Sequence, residues 1–204
     1  MKVILIGAPG SGKGTQAKVI SKEFGIPHIS TGDLIRESIA NGDPYGIKEI
    51  VNNGKLITLD LTLKLFLERA SKDDCKNGFI LDGFPRTTEQ AEALEKYVQF
   101  DKIVYIKIDT EKVLNRLLGR RVCSKCGLPY HIDSYNKTTC ESCGGEVVQR
   151  VDDDINSIKR RFEVFEKETM PVIKFYENDP RLLVIDGDQK VEEVSKDILE
   201  ATIW

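Results

Sequence analysis

Residues 7–15, Gly7-Ala8-Pro9-Gly10-Ser11-Gly12-Lys13-Gly14-Thr15, follow directly on the apolar run Val3-Ile4-Leu5-Ile6. The run suits a short strand buried on both faces, and Lys13 to Phe24 has helical spacing at Ala17, Ile20 and Phe24. Strand, glycine-rich turn and helix, in that order, predict a phosphate-binding loop. Backbone N–H groups can wrap a polyphosphate only where side chains do not intrude and the chain can take positive φ, which Gly7, Gly10 and Gly12 permit. The helix opening near Lys13 adds the positive end of its dipole, and the Lys13 ammonium can reach β- and γ-phosphate oxygens. One position departs from the general pattern. Gly14 stands where Ser or Thr would ligate magnesium directly, which leaves Thr15 as the substitute hydroxyl.

Working outward, Gly25 to Ser30 reads as a second short strand, and Thr31-Gly32-Asp33 opens a helical pattern. From Leu34 the reading is helix, a break at Asn41-Gly42-Asp43-Pro44, and helix again to a stop at Asn53-Gly54. Leu59 to Ala70 is apolar around much of its circumference and is expected to be buried against a sheet. Gly78 to Asp82 is a buried strand ending in a carboxylate, which points to the ligand edge of a parallel sheet. A loop over Gly83 to Arg86, a helix over Thr87 to Tyr97 and a strand over Asp101 to Asp109 follow. The next helix runs from Val113 and ends at Gly119-Arg120-Arg121. Asp154 to Tyr176 resumes helical spacing with a break at Met170-Pro171, and a strand at Leu182 to Ile185 precedes a helix over Val191 to Ile203. Strands alternating with helices predict an α/β fold, a doubly wound five-stranded parallel sheet.

The 204 residues suffice for one core domain with modest insertions. With 30 basic and 33 acidic residues the net charge is -3, which disfavours a general nucleic-acid or membrane-surface binder. No stretch approaches a membrane span and the N-terminal apolar run is too short for a signal peptide, so a cytoplasmic protein is expected.

Residues 122–150 change character, with four cysteines and too few large apolar side chains for a core. Cys123-x-x-Cys126 and Cys140-x-x-Cys143 are separated by thirteen residues, and a glycine follows each pair at 127 and 144. Each spacing lets two thiolates converge on a tight turn, and two such turns make a closed tetrahedral four-sulfur site, structural zinc rather than catalytic metal. Iron suits the same cage, and metal binding would supply the folding free energy that this stretch lacks. Cys75 lies outside the pairs as an ordinary helix or loop residue, and with four cysteines His131 is not needed as a ligand.

Residues GAPGSGKGTQ at 7–16, STGDLIR at 30–36, LDGFPRT at 81–87, GRR at 119–121 and the cysteine quartet resemble bacterial adenylate kinases with a zinc-binding lid, a family of nucleoside monophosphate kinases. The resemblance covers essentially the whole chain. It implies a P-loop core of residues 1–29, 60–119 and 154–204, an NMP-binding insertion at 30–59 and a lid at 120–153, the two insertions being mobile. It implies reversible magnesium-dependent conversion of ATP and AMP to two ADP by a monomer that binds neither nucleic acid nor membrane. By the same resemblance Thr31, Arg36, Lys55, Leu56, Ile57, Gly83, Phe84, Pro85, Arg86 and Gln90 would hold AMP. Gly10 to Thr15 (Gly10, Ser11, Gly12, Lys13, Gly14 and Thr15), with Arg120, Pro129, Tyr130 and Gln189, would lie along ATP. Arg150 and Arg161 would converge on the phosphates, with Lys13, Arg86 and Arg120 completing the catalytic set. Asp82 would order magnesium through its bound waters. Arg36 and Arg86 suit a phosphate because a guanidinium grips it bidentately.

Two rivals share these features. One is a relative that uses another nucleotide pair. The other is a P-loop switch or NTPase whose cysteine module grips nucleic acid or a partner. Against the second, Lys125, Lys137 and Arg150 are balanced by Asp133, Glu141 and Glu146, and only Tyr130 and Tyr135 offer stacking.

Overall fold

The structure is a computed structural model that describes residues 1–202, the side chains of 110 and 111 apart. Its centre is β1 (Lys2–Gly7), where Val3, Ile4, Leu5 and Ile6 are all buried. Alternate side chains of a strand point to opposite faces, and here the two faces feed two cores. Val3 and Leu5 pack with Ala17 and Ile20 of α1 (Lys13–Phe24) and with Val194 and Ile198 of α9 (Val191–Thr202). Ile4 and Ile6 join Phe66 of α4 (Leu59–Ala70), Leu94 of α5 (Thr88–Tyr97) and Val172 of α8 (Met170–Phe175).

The parallel sheet has the order β2 (His28–Ser30), β3 (Phe79–Asp82), β1, β4 (Lys102–Lys107), β8 (Leu182–Asp186). Its register sets Leu5 and Ser30 opposite Asp82 and Gly7 opposite Ile106, so the carboxyl ends of the central strands share one edge. The phosphate loop leaves β1 at that edge.

Between β2 and α4 the chain forms α2 (Thr31–Ala40) and α3 (Lys48–Asn52). The break between them is built by Asp43, whose carboxylate accepts the N–H groups of Ile47 at 2.9 Å and Lys48 at 3.1 Å. α4 buries one face rather than its whole circumference: Phe66 is fully enclosed, while Leu61 and Leu65 stay partly exposed.

α6 (Thr110–Leu118) stops one turn earlier than its sequence suggests. Arg120 and Arg121 do not end a helix but open β5 (Arg120–Cys123), which pairs with β6 (Pro129–His131) and β7 (Val147–Val148) in a small antiparallel sheet. The Gly119 carbonyl accepts the Ile132 N–H at 2.9 Å, so the helix gives way to cross-strand pairing.

The break expected at Met170-Pro171 is a shift of hydrogen-bond register instead. After α7 (Ile155–Val164) the chain widens into a π-turn over Phe165–Thr169, and the Met170 N–H donates to the Phe165 carbonyl five residues back. Proline has no N–H to give the fourth carbonyl behind it, and a wide turn upstream absorbs that mismatch without ending the helix. In the expected last helix, Ile203 lies outside the described residues. No helix among the described residues is long and apolar enough to cross a membrane.

Candidate active site

At the sheet edge the N–H groups of Thr15 and Gln16 close the first turn of α1 on the Gly12 carbonyl at 3.0 and 2.9 Å. Gly10 has φ +78°, and a Cβ there would lie 2.4 Å from Val113 Cγ1, so only glycine lets the loop pass under α6. Lys13 Nζ donates to the carbonyls of Gly7 at 2.7 Å and Ala8 at 2.9 Å, which draws the ammonium across the loop. Burial pushes Lys13 down to about 8; Asp82 opposes that shift, and Arg86, Arg161 and Arg120 reinforce it. Gly10, Gly12, Lys13, Gly14 and Thr15 line a cleft of about 1480 Å³. Ser11 does not: it lies beneath the loop with its hydroxyl buried and unpartnered.

Asp82, at the end of β3, is 8% exposed. Burial raises its carboxyl, but the His28 hydrogen bond and the Lys13, His28 and Arg86 charges outweigh that and hold it below the ordinary range. It is therefore an anion at neutral pH. A Cβ at Gly14 would sit 3.7 Å from Asp82 Oδ2, so the carboxylate faces the place where the loop lacks a hydroxyl. A buried anion beside a phosphate loop fits a magnesium site with oxygen ligands.

Four arginines face the cleft from separate elements. Arg120 Nε donates to Asp153 Oδ2 at 2.7 Å. Arg150 grips Asp152 in two bonds of 2.8 and 2.5 Å. Arg161 reaches the Asp152 carbonyl at 3.1 Å and Asp153 Oδ1 at 3.0 Å. Arg86 Nε donates to the Gly83 carbonyl at 2.7 Å. Burial dominates Arg161 and takes it down to about 10, with Asp152 opposing and Arg120 and Arg150 adding. Such crowding of cations favours an anion between them.

A second, smaller pocket opens off the cleft between α2, α4 and α7. Thr31, Arg36, Lys55, Leu56, Ile57, Gly83, Arg86, Gln90, Arg150 and Arg161 line it. Gln90 Oε1 accepts the Arg86 N–H at 2.7 Å, leaving its NH₂ to donate. Phe84 is absent: its ring is 1% exposed and packs 6.0 Å from Phe66, so it serves the core, while the adjacent Pro85 lines the cleft. Arg120, Pro129, Tyr130 and Gln189 also line the large cleft. Of the two neighbouring arginines on α7, Arg161 turns inward and Arg160 donates to Asn53 Oδ1 at 3.0 Å.

The sulfurs of Cys123, Cys126, Cys140 and Cys143 all lie within 4.8 Å of one another, with Cys123 to Cys143 at 3.4 Å and Cys126 to Cys140 at 3.6 Å. No two are bonded as a disulfide. A tetrahedron with metal–sulfur bonds of 2.3 Å has sulfurs about 3.8 Å apart, so this cage suits zinc. Gly127 and Gly144, at φ +65° and +69°, turn the chain after each pair. Tyr130 Oη donates to Cys140 Sγ at 3.1 Å, tying a cleft-lining ring to the cage.

A family model described as adenylate kinase matches residues 5–180. The chain belongs to the adenylate kinase family. It is 48% identical over 209 residues to the adenylate kinase of Clostridium acetobutylicum, with 97% of each chain covered. That of Clostridium tetani is 45% identical over 208 residues, covering 97% of this chain and 96% of the relative. That of Caldicellulosiruptor bescii is 43% identical over 211 residues, covering 98% of each. As an adenylate kinase family member the chain is a nucleoside monophosphate kinase, a phosphotransferase.

Three site residues escape the sequence reading. Asp152 and Asp153 are the counter-ions of the arginine group, 8% and 0% exposed. Their signal is the run Asp152-Asp153-Asp154: one acid suffices to cap α7, and Asp154 does so by accepting the N–H groups of Asn156 and Ser157 at 2.9 and 3.1 Å. The other two are free to turn inward. The third is His28, whose Nε2 lies 3.3 Å from Asp82 Oδ2; a single histidine in a short strand carries no signal of its own.

Proposed function

We propose that this enzyme moves the terminal phosphoryl group of magnesium ATP to AMP, reversibly, to give two ADP, and that zinc holds the lid without taking part. The observation that carries the reading is convergence. Lys13, Arg86, Arg120, Arg150 and Arg161, from parts of the chain remote in sequence, all line the large cleft, and Arg86, Arg150 and Arg161 line the smaller pocket as well.

Phosphoryl transfer asks for two substrates in line and positive charge on the moving oxygens, with little covalent work by the protein. The phosphate loop cradles the donor phosphates through backbone N–H groups, and Lys13 leaves the Gly7 and Ala8 carbonyls for phosphate oxygens. Gln189, Pro129 and Tyr130 border the donor nucleoside, with Arg120 beside its phosphates. In the smaller pocket Arg36 and Arg86 grip the acceptor phosphate and Thr31, Lys55, Leu56 and Ile57 frame its nucleoside. The free NH₂ of Gln90 donates to the base edge, which suits the adenine N1 acceptor. Arg150 and Arg161 exchange Asp152 and Asp153 for phosphate oxygens as the transferring group passes. Bound beside Asp82 and the donor, magnesium supplies positive charge to the phosphates, with Thr15 as the nearby hydroxyl. Closure of residues 30–59 and 120–153 over the core keeps water from competing as acceptor. Four thiolates fill the zinc shell and leave no open position for chemistry.

A coupled assay with AMP, GMP, UMP and CMP as acceptors and ATP and GTP as donors tests this. AMP with ATP is expected to give the highest kcat/KM by orders of magnitude, because an unmatched base leaves buried polar groups unpaired. Equal efficiency with UMP contradicts the acceptor assignment.

A further inference from the structure

Asp82 ends β3 at the carboxyl edge of the sheet, and among the described residues His28 is the one side chain that hydrogen-bonds it. The two sit on adjacent parallel strands. Register pairs His28 with Ile80 and Ser30 with Asp82, so the imidazole leans one step along the sheet to place Nε2 3.3 Å from Oδ2. Both side chains are largely enclosed, at 14% and 11% exposure. The backbone is held separately: the Asp82 carbonyl accepts Thr31 Oγ1 at 3.2 Å. Without His28 the carboxylate would have no side-chain anchor and could turn about its own bonds away from the loop.

We propose that His28 is a positioning residue for the divalent cation, fixing the rotamer of Asp82 so that Oδ2, the oxygen it holds, faces the gap opposite Gly14. This rests on the reading of Asp82 as the magnesium-ordering group. The residue type carries the argument. An imidazole N–H holds Oδ2 through one hydrogen bond, and the other carboxylate oxygen and the second lone pair of Oδ2 stay open to water. Lysine or arginine in the same place would anchor Asp82 as firmly and cancel the charge that attracts a cation. Ligand orientation by such partners commonly governs metal affinity by about ten- to a hundredfold. Here Asp82 acts through water, and the effect falls at or below the lower end of that range.

The test uses the full-length enzyme and two readouts: the Mg²⁺ concentration for half-maximal rate at fixed nucleotide, and Mn²⁺ affinity in the enzyme–ADP complex by electron paramagnetic resonance. His28→Leu is expected to raise the Mg²⁺ requirement and weaken Mn²⁺ binding about fivefold, with KM for AMP unchanged. His28→Gln, which restores a hydrogen-bond donor, returns both to within about twofold of wild type. His28→Lys keeps or raises the melting temperature yet loses at least as much metal affinity as His28→Leu, a separation that a purely structural role would not produce. Unchanged metal dependence in His28→Leu, alongside a large shift in Asp82→Asn, overturns the role of His28. Unchanged dependence in Asp82→Asn removes the reading of Asp82 itself and the proposal with it. Should His28→Leu fail to fold, the Gln and Lys variants decide the question, metal affinity being kept in the first and lost in the second; equal affinity in both overturns the role.

Discussion

The sheet and the small β5–β7 module solve the same problem by opposite means. Around β1 every side chain from Val3 to Ile6 is buried, and two cores lie on the two faces of one sheet. Between residues 120 and 150 the only buried side chains are Cys123 and Cys140, and Ile132 is 48% exposed. Apolar area decides the first region, since fully burying one such side chain contributes about 1.5–3 kcal/mol. It cannot decide the second. There the proposed zinc ion in the four-thiolate cage, of a kind that supplies on the order of 10 kcal/mol in small zinc modules, would take the place of a core.

The comparison breaks first in the core. Phe66 is fully enclosed between Phe79 and Phe84, at ring separations of 5.7 and 6.0 Å. Phe66→Ala is expected to cost about 3–5 kcal/mol of global stability. It should leave zinc content at wild-type level, as metal analysis beside denaturant unfolding would show. Loss of zinc in that variant would mean that the two regions are not independently held.

Next comes the seam between them, where Lys13 lies near Arg120. Lys13→Met is expected to lower turnover by at least about a hundredfold with the fold and zinc retained. Near-normal turnover of a folded variant rules out its role.

A proton-coupled effect of intermediate size follows from Lys13 as well. Its folded value, about 8, lies below the ordinary value of 10.5, so between those limits the folded protein binds fewer protons than the unfolded chain and stability rises with pH. Phosphates on the loop reverse the shift, and nucleotide binding at pH 8 should take up about half a proton. Calorimetry in buffers of different ionisation enthalpy measures it, and Lys13→Met should abolish it.

The smallest effect belongs to a surface contact. Lys18 Nζ donates to the Gly127 carbonyl at 2.7 Å, joining α1 to the first cysteine turn. An exposed bond of this kind contributes less than about 1 kcal/mol. Lys18→Ala should change kcat/KM for ATP by no more than about threefold; a far larger change would mean that one bond, and not the whole interface, closes the lid.

The same contrast separates what could be read in the sequence from what could not. Val3 to Thr15 declares strand, loop and helix because both the buried run and the glycines have local causes, and the cysteine spacing declares the cage. The strands β5 to β7 leave no trace, since two to four residues with half-exposed side chains have no periodicity to read. Arg120 looked like a helix end for that reason. Among the site residues, those within continuous motifs were legible, whereas Asp152, Asp153 and His28 matter through partners far along the chain or hidden by an acidic run. Phe84 sits within a motif but turns to the core, because motif membership says nothing about which way a side chain points.

The claim that metal alone holds the lid is tested most directly by amide hydrogen exchange, residue by residue, on the zinc-loaded enzyme and on protein stripped by a chelator. The account predicts that amides of residues 120–150 lose nearly all protection on zinc removal while those of β1, β3 and β4 keep theirs. Unchanged protection across 120–150 in the metal-free protein, or loss of protection in the central strands together with the lid, would contradict it.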